Sequence, residues 1–240
     1  MIKITAQNLF TSSCHFGQKS SRWNPRMKNY ISTSKNGIHL FDLNKSAEKF
    51  AELLNRISQM ASEKKTILFV STKPHTQEML KQIKEETGMP IVSYKWFGGL
   101  LTNFSTIKER ILFLKKLKDE FESGDIERYT KKEQSKYAKE RDKLELALGG
   151  VADMTKTPDA IFVVDGKRDE IALLEAKQIG IEVLGIADSN VNPDLYNYFV
   201  PANDDSMKSL EFILGHVVTA ILSSDTKKEE KKEEKDNEES

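Results

Sequence analysis

Four carboxylates stand where an α/β enzyme would keep its catalytic or metal-binding groups. Asp165 closes the apolar run AIFVVD, Asp188 closes EVLGIAD, and Asp204 and Asp205 follow in an NDD turn. In open α/β sheets ligands bind in the crevice beyond the carboxyl ends of the strands, and hard carboxylate oxygens there suit Mg²⁺. His15 or His216 would add a nitrogen ligand if the fold brought it close, a set that also suits zinc. The same aspartates serve as local caps: VVDGK is a turn, NDDSMKS opens a helix, and IADSN starts a loop. A structural Mg²⁺ or Zn²⁺ on Asp188, Asp204 and Asp205 thus stands beside the plainer expectation of no cofactor.

Other catalytic signatures are missing. The chain has no GxGxxG or GxxxxGK[ST] to cradle phosphates, and no GxSxG or HExxH. Its one cysteine, Cys14, adjoins His15 in sequence, which is not how a Cys/His catalytic pair is built. The four histidines (15, 39, 75 and 216) lack metal-ligand spacing. His39, in GIHLFDL, alternates with Ile38 and Leu40 on a strand, so a face toward solvent or another subunit is expected.

Charge is more informative. The chain is formally neutral, yet residues 1–41 carry six basic side chains and no acid, whereas the tail from Ser223 carries five lysines against eight acids. Within the basic arm, HFGQKSSRWNPRMKNYI, Lys19, Arg22, Arg26 and Lys28 can neutralise phosphates, Asn24 can donate to phosphate or sugar oxygens, and Trp23 and Tyr30 can pack on sugars or bases. A segment that merely solvates its own domain normally mixes signs, so RNA contact is the stronger reading and an ordinary surface loop the alternative. A second, weaker candidate is SYKWFGGLLTNFSTIKER. There Gly98 and Gly99 allow close backbone approach and Lys95, Trp96, Thr102, Asn103 and Lys108 surround them, although a GG turn before a helix is also ordinary.

The elements that must position these residues read as repeated strand–helix–strand units. TILFV (66–70) leads through STKP into a helix ending at Gly88, then into PIVSY. AIFVVD leads through a helix carrying Ile171, Leu174, Ala176 and Ile179 to Gly180, then into EVLGIAD. A helix capped at Asn44 precedes them, and a short YFV strand and a helix from about 205 to 222 follow. The expected fold is α/β, a mostly parallel sheet sandwiched by helices. Its body spans 1–103 and 150–222. Residues 104–149, with Phe104, Ile107, Ile111, Leu114 and Phe121 at three-four spacing, read as a protruding helical coiled-coil hairpin, the alternative being two surface helices packed on the sheet. Residues 223–240 hold no aliphatic side chain after Leu222 and are expected to be disordered. The apolar runs are too short to span a membrane, and the start MIKITAQNLF lacks a signal-peptide core, so the cytoplasm is the expected compartment.

Taken in order, HFG, RWNPRMKNYI, GIHLFDL, ILFVSTK, WFGGLLTNFSTI, LGGVADM with TPDAIFVVD, LEAKQIGIEVLGIADSNVNPD and VPANDDSMKSLEFIL resemble the bacterial small-subunit ribosomal protein two family over about residues 8–222. The resemblance implies a flavodoxin-like (Rossmann-like) body with a helical hairpin and no catalysis. It also implies a structural role in the small ribosomal subunit: contact with small-subunit rRNA, late assembly, support for docking of ribosomal protein one, and neither a membrane nor a small-molecule substrate. By motif, the rRNA candidates are Lys19, Arg22, Trp23, Asn24, Arg26 and Lys28, and Lys95, Trp96, Gly98, Gly99, Thr102, Asn103 and Lys108. Two departures stand out. Gln18 replaces the histidine of HFGH in many relatives, removing a nitrogen ligand, and Pro74 follows STK, where it is tolerable as a first helical residue.

Overall fold

A computed structural model describes residues 4–238, with side chains described through 223. Five short strands form a parallel sheet: β4 (Ile67–Val70), β5 (Ile91–Val92), β6 (Ala160–Val163), β7 (Glu182–Ala187) and β8 (Tyr198–Pro201), in the order β5-β4-β6-β7-β8. Every residue of β4 and β6 is buried, because helices cover both faces and alternate side chains enter two different cores. Ile67, Phe69, Ala160 and Phe162 face a core built with α2 (Leu43–Ser62), α3 (Gln77–Thr87) and α7 (Met207–Glu238). Leu68, Val70, Ile161 and Val163 face a second core that takes in α6 (Glu170–Ile179) and the bases of α4 (Phe104–Glu122) and α5 (Lys131–Leu148).

Helix boundaries follow local chemistry. α3 and α6 stop at Gly88 and Gly180, as expected, both in the left-handed region that favours glycine. α2 starts earlier than the sequence suggests: Asp42, not Asn44, caps it, its carboxylate accepting from the Asn44 N–H. On α6, Ile171, Leu174 and Ile179 are exposed, and the buried face is Ala172, Leu173, Glu175 and Ala176. The expected disorder of 223–240 falls, apart from Ser223, on residues outside the described side chains.

α4 and α5 pack against each other. Lys118 meets Glu145 at 2.5 Å and the Arg141 guanidinium lies 4.5 Å from the Phe121 ring centre, so partners descend α5 as they ascend α4 and the pair is antiparallel. Ile107, Ile111, Leu114 and Leu117 form the buried stripe of α4, with Leu117 continuing the spacing beside Lys118.

The arm is not a loose extension. After a one-and-a-half-turn helix α1 (Ala6–Thr11), residues 16–41 form a three-stranded antiparallel sheet in the order β1-β3-β2, with β1 Phe16–Lys19, β2 Ile31–Lys35 and β3 Ile38–Phe41. Between β1 and β2 two short 3-10 turns, Ser20–Arg22 and Pro25–Tyr30, carry Arg22, Arg26 and Lys28, and Met27, fully buried, pins this stretch to the second core.

Candidate nucleic-acid interface and the filled crevice beside it

The strand order reverses between β4 and β6, since the chain leaves β4 toward β5 and returns through α4 and α5 to β6 on the other side. The crevice beyond these two strands is where an α/β fold binds a ligand. Here it is filled by the protein. Lys73, one turn past β4 and buried, points its Nζ at Asp165 Oδ2 (2.9 Å), Asp204 Oδ1 (2.9 Å) and Asp205 Oδ1 (2.8 Å), and also donates to the Asp204 carbonyl. Burial by itself would lower the Lys73 pKa, but the charges of Asp204 and Asp165 win and hold the ammonium above the usual lysine range. Thr72 donates to Asp169 beside it, and Asp165 uses its second oxygen to cap the Lys167 and Arg168 N–H groups.

Gln18 completes the arrangement from β1. Its amide nitrogen donates to Asp188 Oδ2 (3.0 Å) and Asp205 Oδ2 (2.7 Å), and its backbone N–H donates to Ser189 Oγ (2.8 Å). The residue before it must be glycine: a Cβ on Gly17 would lie 2.8 Å from Ser189 Oγ and 3.3 Å from the His39 carbonyl. The antiparallel sheet is thereby latched onto the ends of β7 and β8. Burial pushes the Asp188 carboxyl up to about 6 and also raises buried Asp204, beside Asp188 and Asp165, whereas at the more exposed Asp205 the effect of burial is outweighed by the Lys73 and Gln18 hydrogen bonds, which hold its carboxyl below the ordinary value.

Asp188, Asp204 and Asp205 each offer an oxygen within 4.8 Å of the others, as the sequence suggested for a cation. Neither His15 nor His216 joins them: His15 lies between the rings of Phe10 and Phe16, and His216 packs on Phe50 and Phe212. The oxygens already meet Lys73 and Gln18, so a divalent cation would have to displace both. The donor set present fits an internal ammonium and amide better than a metal.

The basic arm divides into engaged and unengaged cations. Arg26 pairs with Asp194 (2.5 Å) and reaches Asn192, and the Asn24 N–H donates to the Ser189 carbonyl, fixing the second turn to the loop after β7. Lys19, Arg22 and Lys28 are exposed, and among the described residues none has an acid within ion-pair distance. The two aromatic rings are turned to the protein: Trp23 lies 5.0 Å from the His39 ring and Tyr30 packs edge-on to Phe199. His39 therefore does not face solvent as its strand alternation suggested; both its ring nitrogens are buried without a partner among the described residues, beneath Trp23.

The second segment is organised around a residue that sequence reasoning passed over. Glu175 on α6, 8 % exposed, accepts from Trp96 Nε1 (3.0 Å) and the Gly99 N–H (2.8 Å) on one oxygen, and from the Leu101 N–H, Thr102 N–H and Thr102 hydroxyl on the other. Burial would raise its pKa, but these donors outweigh burial and hold it below the ordinary value. Trp96 Nε1, the Gly99 N–H and the Thr102 N–H and hydroxyl are thus engaged by Glu175, and Gly99, at φ +88°, takes a conformation a side chain would strain. Asn103 accepts from the Ser105 and Thr106 hydroxyls at the start of α4, while Lys95, Gly98 and Lys108 are exposed. The signal for Glu175 was an acid flanked by apolar residues, IALLEA, at a position sharing a helical face with Ala172.

An α/β body whose ligand crevice is closed from within, fronted by a folded patch of unopposed cations, is the architecture of a binding and scaffolding protein. The family profile for ribosomal protein S2 matches residues 9–224. The chain is 43 % identical over 223 residues to small ribosomal subunit protein uS2 of Fusobacterium nucleatum subsp. nucleatum, covering 92 % of this chain and 90 % of the relative. It is 40 % identical over 218 residues to the protein of the same description from Dehalococcoides mccartyi, covering 91 % and 89 %. The chain belongs to the ribosomal protein S2 family. It is a structural component of the small ribosomal subunit, a ribonucleoprotein that serves translation, and not an enzyme. No described helix is long and apolar enough to cross a membrane.

Proposed function

We propose that the chain binds small-subunit rRNA through the folded basic arm, with Arg22 and Lys28 as principal phosphate contacts and Lys19, Trp23, Asn24 and Arg26 shaping the patch. The observation that carries this is the run of exposed cations over residues 19–28 with no acid within that run, on a segment pinned by Met27 and Asn24 so that the charges are presented in fixed geometry. Lys95 and Lys108, exposed on either side of the Glu175-anchored loop, supply a second backbone contact, with Trp96, Gly98, Gly99, Thr102 and Asn103 setting its shape. The α4–α5 pair acts as a projecting coiled-coil hairpin over 104–149. The family resemblance supports late entry into the subunit, a role in docking ribosomal protein one, and residence in the cytoplasm. Lys73 supplies the positive charge that a resident metal would otherwise bring.

The test is binding of the full-length chain to small-subunit particles that lack it, measured against salt. Counterion release predicts a steep fall in affinity, and Arg22→Ala with Lys28→Ala flattens the slope of log K against log[salt] by about 0.7–0.9 per lost phosphate contact. An unchanged slope in the double variant removes Arg22 and Lys28 from the interface.

A further inference from the structure

The sixth basic residue of the N-terminal segment, Lys35, lies outside the arm motif, yet the sheet brings it to the arm. Lys19 on β1 and Lys35 on β2 both pair with Ile38 of β3, which runs between them. Residues directly opposite in an antiparallel sheet present their side chains to the same face, and two strand spacings set the two lysine Cα atoms about 10 Å apart. Both side chains are exposed. Among the described residues neither has an acid within ion-pair distance, so two like charges flank one residue uncompensated.

The tip that holds them is rigid. Asn36 at φ +53° and Gly37 at φ +75° make the tight β2–β3 turn. Ser20, just past β1, closes it, its N–H and hydroxyl both donating to the Gly37 carbonyl (2.8 and 3.1 Å). The Ser20 and Ser34 hydroxyls lie 3.1 Å apart and tie the turn to β2. Two unopposed ammonium groups on one face of the sheet match the phosphates of a sugar-phosphate backbone.

We propose that Lys19 and Lys35, on the outer strands either side of Ile38, clamp the sugar-phosphate backbone of rRNA at the hairpin tip, as a contact separate from the turns that carry Arg22 and Lys28. This rests on the arm being the rRNA-binding surface. It assigns Lys35 a binding role and gives Lys19 a partner on another strand.

The experiment uses the full-length chain and small-subunit particles lacking it, with affinity measured across a potassium chloride series. Lys35→Ala is expected to lower the salt slope by about 0.7–0.9, and Lys19→Ala with Lys35→Ala by about twice that. Lys35→Arg keeps the slope, and the melting temperature of Lys35→Ala matches the parent because the side chain is exposed. If the lysine pair leaves slope and affinity unchanged while Arg22→Ala with Lys28→Ala lowers them, the clamp is overturned and the arm reading stands. If neither pair moves the slope, the arm reading itself falls and the clamp with it.

Discussion

Replacing Lys73 by methionine removes the one ammonium that sits among Asp165, Asp204 and Asp205 while keeping the length of the buried stem. The Lys73 and Asp204 side chains are 7 % and 3 % exposed, so water does little to screen the charges left behind. Breaking such a pair from one side costs about 3–5 kcal/mol. The protein can escape by protonating a carboxyl in the fold; counted against the unfolded chain, where an aspartate keeps its ordinary pKa of about 3.9, that costs about 4 kcal/mol at pH 7 but about 1.5 kcal/mol at pH 5, at about 1.36 kcal/mol per pH unit. The loss is therefore expected to be about 4 kcal/mol at pH 7, lowering the melting temperature by about 10 °C, and to shrink to about 1.5 kcal/mol at pH 5. Urea unfolding of both proteins at the two pH values measures this. A variant within 1 kcal/mol of the parent at pH 7, or one whose loss is the same at pH 5, would show that Lys73 does not neutralise the crevice.

Glu175→Gln places an amide against five donors and is expected to cost about 2–3 kcal/mol by denaturant unfolding, with Trp96 fluorescence reporting the freed loop. Because the Glu175 pKa is lower folded than its ordinary 4.5, its stabilisation is present above about pH 4.5 and is lost as pH falls through the folded value. The Gln variant loses that part of the acid dependence, and an unchanged acid limb argues against the anchor. Gly17→Ala drives a methyl into Ser189 and should loosen the antiparallel sheet, seen as faster amide exchange in β1 and β3 with the parallel sheet unaffected. Treatment with EDTA, or addition of zinc or magnesium, should leave the melting temperature within about 1 °C; a rise of several degrees with either metal would mean that a cation displaces Lys73 and Gln18.

The parallel sheet was legible because β4, β6 and β7 are buried on both faces and so read as unbroken apolar runs between turn residues. Gly88 and Gly180 announced the helix ends for the reason they fulfil in the fold. The antiparallel sheet was not legible: β2 is mostly exposed ISTSK, with no core-facing alternation, and its register is set by pairing to β3 rather than by its own pattern. The cation positions could be read because charge survives in any fold. Which of them are free could not, since Asp194 reaches Arg26 across 168 residues and Glu175 reaches Gly99 across 76. The strand-end aspartates were correctly placed, but Lys73, at the end of ILFVSTK, read as turn chemistry when it is the counter-charge that binds them.

The closure of the crevice bears on control. In most folds of this layout the gap between the diverging strands is a socket through which a metabolite or nucleotide can report the state of the cell. Here a side chain of the same polypeptide occupies the socket, at a local concentration no solute can match, and Gln18 bolts the arm sheet across it. The position of the arm sheet is thereby tied to the charge balance of the crevice, so whatever disturbs Lys73 and its aspartates is felt at the arm through Gln18.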